Sequence, residues 1–428
     1  MQILFLAGRH GFSAEKGAYS RKYTYKTINS RLSVEQAKLN TGCARAAGPL
    51  AERIAGVAVV LMVVGAVAVF SASANLGQDI DLQRFYDFQA LRQILFFLLA
   101  VILICTASFF DYRALRLRRP YYRCPIVYLL ITSLVLLAVV LMPRFGTEVN
   151  SARRWLRLPL GPLTVSFQPS ELAKWTIIFF LAALCCDGGQ RGALSLRRFL
   201  AACLISAVTV GLVLAEDFGT AALIALLTCL MLLIGSVPWR YLLSPLPIAG
   251  VVFYLAVVGS PARLERLSAF INPGKWADSV AYQANQSLIA LGSGGLWGKG
   301  LGMGTCKYGH LPEDTTDFVF AVIGEELGLI GTGSVIALFA AFVLLGTLAA
   351  QRCNDPFGRM LAAGITMAIG IQAALNIGVA TVVLPTKGMP LPLVSAGGTS
   401  MLLTAAAAGI LVNIARSKPK SCIEPDGS

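Results

Sequence analysis

Charged residues are scarce in this chain, and their scarcity excludes most soluble architectures. Only 14% of the 428 residues are Asp, Glu, Lys or Arg, whereas 56% are hydrophobic. Soluble domains carry about 25% charged residues, so the depletion indicates a chain that faces lipid. The net charge of +14 comes from basic residues that lie mainly between hydrophobic stretches. Membrane orientation and anionic lipid headgroups explain that charge better than nucleic acid does.

Histidine is nearly absent as well. His10 and His310 are the only two, which argues against a histidine-based metal site or catalytic triad. Several of the ten cysteines lie in apolar stretches, where cysteine behaves as a small hydrophobic residue, and no structural disulfide is expected. The glycine-rich run 292–304 is not a P-loop, because Ser293 and Gly300 stand where that motif requires Gly and Ser or Thr. Its glycines predict a loop that folds back tightly.

Hydrophobic runs of about 18 or more residues predict membrane-spanning helices. The sequence therefore predicts an all-α polytopic membrane protein with about ten transmembrane helices. Residues 1–53 form a basic N-terminal tail, 54–416 the ten-helix membrane domain and 417–428 a C-terminal tail. The eighth and ninth runs are long enough to be tilted or to extend beyond the bilayer. The predicted spans are residues 54–74, 89–110, 124–143, 169–186, 197–215, 219–237, 241–260, 317–349, 358–384 and 395–415.

Basic residues concentrate in the two tails and in the loops that follow the even-numbered spans. The positive-inside rule then places both termini in the cytoplasm. The large loop 261–316, between helices 7 and 8, becomes extracytoplasmic, as do loops 144–168 and 385–394. Chemistry in these loops has no ATP available, so a substrate there must already be activated.

The segment 150–175 combines cations with an acid at the start of span four. Glu171 and Lys174 are three residues apart, so they share a helix face and can pair. Arg153 and Arg154 supply forked cations that suit phosphate. Alternatively, the arginines extend to lipid headgroups beside a structural Glu–Lys pair. The acidic loop on the same side of the membrane favours a groove for an anionic substrate.

Further ionisable residues lie at the membrane entrances. Asp217 is at the turn between spans five and six, and Asp317 opens span eight, where the helix dipole alone explains an acid. Glu325 and Glu326 lie deeper, and adjacent helical positions predict that only one of them faces a cavity. Lys387 sits in a proline-rich segment that must be shielded by protein or line a water-filled cavity. It could meet a phosphate or a lipid headgroup.

Five ordered motifs make the chain similar to the SEDS family (FtsW, RodA and SpoVE) over about residues 54–416. The sequence LPTKG and Lys307 before LPE favour the division-type FtsW branch over the elongation-type RodA branch. The motifs are QPSELAK (168–174), EDFGT (216–220), QSLIALGSGGLWGKGLG (286–302), LPEDTTDFVFAVIGEELG (311–328) and LPTKGMPLPLVSAGGTS (384–400).

The resemblance implies a peptidoglycan glycosyltransferase, which polymerises lipid II, an undecaprenyl-pyrophosphate-linked disaccharide pentapeptide. Such an enzyme would work at the outer face of the bacterial cytoplasmic (inner) membrane, in septal cell-wall synthesis during cell division. The implied partners are a class B penicillin-binding transpeptidase and other divisome membrane proteins, with no nucleic acid. Two alternatives stay open, a lipid II flippase or transporter and a catalytically silent division scaffold.

The resemblance also implies site residues. It assigns the catalytic acid to Asp278, which lies between Asn272–Pro273 and Tyr282–Gln283. The resemblance fixes no cofactor. A divalent cation, Mg²⁺ or Mn²⁺, could help to neutralise the charge of the leaving pyrophosphate, but the sequence shows no set of residues that would bind it. The chain has Ser279, Thr315 and Ala396 where the family pattern has Pro, His and Tyr, which leaves the fine geometry open. The predicted substrate-binding residues are Arg153, Arg154, Glu171, Lys174 and Lys387, and the predicted supporting residues are Gln168, Asp217, Gln286, Ser287, Glu313, Asp317 and Glu325.

Overall fold

The computed structural model describes residues 49–72, 89–149, 152–160, 163–186, 195–271, 281–305 and 315–417. Within these ranges the predicted α-helical membrane fold is confirmed. Eight helices are long and apolar enough to cross a membrane, and two shorter apolar helices stand at the remaining predicted spans. The helices are α1 Pro49–Ala72, α2 Gln89–Phe109, α3 Pro125–Val140, α4 Pro169–Cys186, α5 Leu196–Leu214, α6 Phe218–Ile234, α7 Trp239–Leu243, α8 Leu246–Val258, α9 Pro261–Ile271, α10 Tyr282–Ser293, α11 Val319–Arg352, α12 Pro356–Ala380 and α13 Gly398–Arg416.

Helix α4 forms the centre of the bundle. Of its residues, 83% are buried, and it packs against α3, α5, α6, α12 and α13. Pro169 stands at its first position, where a missing N–H costs nothing and the fixed φ suits a helix. The seventh predicted span consists of α7 and α8, and none of its described side chains is buried within the protein. Most side chains on α4, by contrast, are shielded from lipid by the surrounding helices.

The loop before α4 contains a small sheet that the sequence analysis did not foresee. Strands β1 (Gly146–Val149), β2 (Ala152–Leu160) and β3 (Leu163–Phe167) pair in an antiparallel order β1–β2–β3. The long predicted loop 261–316 likewise contains helices α9 and α10. The sheet, α9, α10 and the segment 381–397 between α12 and α13 gather at one end of the bundle, which we call the sheet end.

Helix α11 is broken rather than simply long. Gly328 has φ +67°, which interrupts the helical backbone and separates residues 319–327 from the longer part of α11 that follows it. The glycine-rich loop supplies hydrogen bonds at this break, since Lys299 N–H donates to the carbonyl of Glu325 at 3.0 Å and Leu329 N–H donates to that of Gly295 at 2.9 Å. A side chain at Gly298 would meet the carbonyl of Glu326 at 2.1 Å. The predicted tight loop is thus present, and it completes the broken helix.

Candidate functional site

A cavity of about 390 Å³ opens at the sheet end of the bundle. Its walls come from β2, β3, α4, α6, α9, α10, α13, the residues just before α11 and the segment 381–397, so nearly every loop predicted to be extracytoplasmic contributes to it. The lining residues that carry charge or an amide are Arg154, Arg157, Gln168, Glu171, Arg266, Gln283, Asp317 and Lys387. The structure therefore brings together five of the predicted site residues: Arg154, Gln168, Glu171, Asp317 and Lys387.

Cations dominate the cavity wall. Arg154 is fixed by its Nε, which donates to the carbonyl of Glu216 at 2.9 Å. Arg266 reaches the rim from α9, where surrounding protein and the like charge of Arg154 lower its pKa. Burial also lowers the pKa of Lys387, although Asp217 opposes that shift. Like charges held close together and partly out of water favour the binding of an anion between them.

Behind the cavity wall lies a buried ion pair on α4. Lys174 Nζ lies 2.7 Å from Glu171 Oε2, and the two side chains are 0% and 3% exposed. Lys174 also donates to Gln372 Oε1 at 2.7 Å and lies over the ring of Trp175 at 5.1 Å. Glu171 borders the cavity, whereas Lys174 does not. The predicted pairing on one helix face is present, and Lys174 is joined to the cavity wall through its contact with Glu171.

The two predicted arginines on β2 have different surroundings. Arg154 borders the cavity, but the guanidinium of Arg153 lies 3.5 Å from Glu148 and is partly exposed. Trp155 and Arg157 also border the cavity, so both faces of β2 contribute to it and strand alternation does not account for the position of Arg153. The backbone N–H of Arg153 donates to Glu216 Oε2 at 2.6 Å, so this residue fixes the sheet to the turn before α6.

Asp217 has a structural position at the same turn. It caps α6, because its carboxylate accepts from the N–H of Thr220 at 3.1 Å and from its hydroxyl at 2.7 Å. Phe218, the next residue, contacts the ammonium of Lys387 at 4.7 Å from its ring centroid. The turn between α5 and α6 thus contacts Lys387 through the ring of Phe218.

The segment 381–397 closes the cavity against the start of α11. The N–H of Ala396 donates to the carbonyl of Thr315 at 2.9 Å. A side chain at Gly388 would meet Asp317 Oδ2 at 2.9 Å, so it would displace the carboxylate of Asp317. Thr315 and Ala396 are two of the three positions that depart from the family pattern, and the backbone hydrogen bond shows that they are neighbours.

The remaining predicted residues lie elsewhere. Ser287 is buried and donates to the carbonyl of Ala380 at 2.6 Å, which fastens α10 to α12. Gln286 does not border the cavity, whereas Gln283, one turn earlier on α10, does. Glu325 is buried away from the cavity and accepts from Lys299 Nζ at 2.7 Å. Asp278 and Glu313 lie outside the described residues.

Glu326 is buried as well, and it accepts from the hydroxyl of Ser71 on α1 at 2.6 Å. The expectation that one of the two adjacent acids would face a cavity is therefore not met at the described cavity, because neither borders it. Both instead hold the glycine-rich loop and α1 to the break in α11. Within the described ranges, no three His, Cys, Asp or Glu side chains converge as metal ligands.

Two residues of this region were missed by sequence reasoning. Arg266 was assigned to an irregular loop, although the apolar periodicity of 261–271 could have indicated an amphipathic helix. Gln372 was passed over within a predicted span, although an amide in an apolar helix is costly and is itself a functional signal.

A family model for the cell cycle proteins FtsW, RodA and SpoVE matches residues 52–420. The chain belongs to this family. Among SEDS proteins, it is 36% identical to the probable peptidoglycan glycosyltransferase FtsW of Geobacter metallireducens, over 83% of this chain and 92% of that protein. It is 38% identical to the protein of the same description from Coxiella burnetii, over 83% of this chain and 93% of the relative.

Solved structures of SEDS proteins share the fold. A chain of a peptidoglycan synthase complex that coordinates polymerization and crosslinking superposes with a TM-score of 0.63 at 26% identity, covering 85% of this chain and 96% of that one. The rod shape determining protein RodA of Thermus thermophilus gives a TM-score of 0.58 at 26% identity, covering 85% of this chain and 96% of RodA. The expected fold and family are confirmed.

Proposed function

We propose that this SEDS protein is a peptidoglycan glycosyltransferase that polymerises lipid II. The observation that carries the proposal is the cationic cavity at the sheet end, in a chain whose relatives are described as glycosyltransferases. In this reaction a hydroxyl of one sugar attacks C1 of another, and the bond from C1 to the lipid pyrophosphate breaks. The donor is already activated, so no nucleotide is required.

The leaving pyrophosphate accounts for the cations. Negative charge grows on it as the bond breaks, and fixed cations in a partly dry site stabilise that charge. Arg154, Arg266 and Lys387 border one cavity and are supplied by three different elements, so they can surround an anion. Arg154 is preorganised by its hydrogen bond to Glu216, and its forked guanidinium suits phosphate oxygens.

Asp278 is our candidate for the base that accepts the proton of the attacking hydroxyl. It lies in the segment between α9 and α10, two helices that both contribute to the cavity wall through Arg266 and Gln283. Asp278 is five positions before Gln283, so its Cα lies within about 18 Å of that residue even for an extended chain. A carboxylate is one of the side chains that serve as general bases in proton transfer.

We also assign the protein to septal synthesis. Its relatives at 36–38% identity are described as FtsW, and the LPTKG sequence supports the same branch. A structural neighbour belongs to a synthase complex that coordinates polymerization with crosslinking. A class B transpeptidase is accordingly the proposed partner, in the bacterial cytoplasmic membrane and with other division proteins nearby.

Reconstitution with labelled lipid II tests the function. The purified protein, with its transpeptidase partner in liposomes, should convert lipid II into glycan polymer and release undecaprenyl pyrophosphate. Movement of lipid II between leaflets without polymer would favour a flippase, and neither product would favour a scaffold. Glu265→Gln, a change at an exposed acid of α9, should leave polymerisation intact and serves as the control for carboxylate variants.

A further inference from the structure

Two amide side chains on α12 lie just behind the cavity. Gln372 and Asn376 are one turn apart, so they point to the same side of the helix, and they are 2% and 1% exposed. Amides buried so deeply cost free energy unless they are hydrogen bonded. Neither borders the cavity, so neither is placed to touch a substrate there.

Gln372 connects the buried ion pair with the segment 381–397. Its Oε1 accepts from Lys174 Nζ at 2.7 Å, and its Nε2 donates to the carbonyl of Pro390 at 2.9 Å. Pro390 itself borders the cavity, as does Glu171, the partner of Lys174. One amide thus joins the acid on α4 to the opposite wall of the cavity.

Asn376 holds the same segment one turn further along. Its Nδ2 donates to the carbonyl of Met389 at 2.7 Å and to that of Asp317 at 2.8 Å. Prolines at 385, 390 and 392 leave this segment poor in backbone donors, so side-chain amides must satisfy its carbonyls. Lys387 lies two residues before Met389, and a shift of that backbone would move its ammonium out of the cavity.

We propose that Gln372 and Asn376 are positioning residues, which hold the backbone of residues 386–390 so that Lys387 faces the pyrophosphate in the cavity. The inference rests on the proposed function for the identity of the anion. It does not rest on that function for the conformation of the segment, which Gln372 holds through the carbonyl of Pro390 and Asn376 through that of Met389.

Asn376→Leu tests the proposal, because it removes both donors at nearly constant size and does not touch Lys174. Amide hydrogen exchange in peptides covering residues 384–397 of the full chain should become at least about fivefold faster, the effect of losing roughly one hydrogen bond. Gln351→Met, at an exposed position of α11, should leave that exchange unchanged. Unchanged exchange in Asn376→Leu would overturn the proposal.

The kinetic test separates positioning from a general loss of structure. Asn376→Leu should raise the KM for lipid II about fivefold or more with a smaller change in kcat, and should raise it no further when combined with Lys387→Ala. An equal rise in the Lys387→Ala background would show that Asn376 does not act through Lys387. If Asn376→Leu does not accumulate in the membrane, Gln372→Met receives the same two measurements against Gln351→Met. A wild-type protein that makes no polymer would defeat the proposed function, while the exchange experiment would still decide this inference.

Discussion

The buried pair of Glu171 and Lys174 gives the sharpest stability prediction. Their charged atoms are 2.7 Å apart and almost fully excluded from solvent. Lys174→Met removes the ammonium at similar volume and leaves the carboxylate of Glu171 in poor solvent. We expect this variant to lose about 3–5 kcal/mol of the free energy of unfolding, the usual result of breaking one half of a buried pair.

The reverse change should be milder for a structural reason. In Glu171→Gln, the ammonium of Lys174 keeps Gln372 Oε1 at 2.7 Å and the ring of Trp175 at 5.1 Å. We expect a loss of about 1–3 kcal/mol, near the cost of one hydrogen bond to a charged group. The double variant removes both charges, so it should be more stable than Lys174→Met alone although still inactive.

Denaturant unfolding in detergent micelles measures this cycle. Arg116→Met is the control, since Arg116 lies 4.0 Å from Asp355 in a partly exposed pair that should contribute at most about 1 kcal/mol. Losses for the two single changes that add up to the loss of the double variant, within about 0.5 kcal/mol, would mean that Glu171 and Lys174 do not interact.

Three further predictions concern the cavity and the broken helix. Arg154→Lys should raise the lipid II concentration needed for half-maximal polymerisation, because lysine cannot make bidentate phosphate contacts. Arg153→Lys should change that concentration little. A curve of rate against lipid II concentration for Arg154→Lys that overlays the wild-type curve would contradict the pyrophosphate role. Gly328→Ala should lower the melting temperature in detergent, because φ is +67° and the new Cβ would meet the N of Gly298 at 2.4 Å. Gly333→Ala is the control, since a Cβ there meets open space. Equal melting temperatures for the two variants would contradict this explanation of the break in α11. Because burial lowers the pKa of Lys387, its side chain should lose its charge at a lower pH than an exposed lysine does. The KM for lipid II should therefore rise at alkaline pH in wild type, and only at a higher pH in Lys387→Arg. Identical dependence of KM on pH in the two proteins would show that Lys387 does not bind the anion.

The positions of the helices could be predicted because lipid imposes a simple rule on the sequence. Each predicted span contains an apolar helix, and the pairing of Glu171 with Lys174 follows from helical spacing alone. The gathering of the loops at one end of the bundle agrees with their predicted placement on one side of the membrane. Family motifs then gave the expected activity class, which the relatives support.

Contacts between distant segments could not be predicted in the same way. Gln372 meets Lys174 across 198 positions of sequence, and Arg266 and Arg154 come to border the same cavity although 112 positions separate them. Strand β2 could not be predicted from the sequence, because its nine residues include three arginines and lack the alternation of a half-buried strand. The break at Gly328 depends on the loop that satisfies its backbone, and a hydrophobic run does not reveal that loop.

We propose that the cationic cavity serves glycosyl transfer with Asp278 as the base. The most direct measurement is the rate of glycan polymer formation from labelled lipid II by purified Asp278→Asn, beside wild type and Glu265→Gln in the same liposomes. Loss of a general base should lower turnover by roughly 10²–10⁴-fold with a smaller change in KM, while Glu265→Gln keeps wild-type turnover. Polymerisation by Asp278→Asn at a rate close to wild type would contradict the account, and Glu313 and Asp317 would become the acids to test.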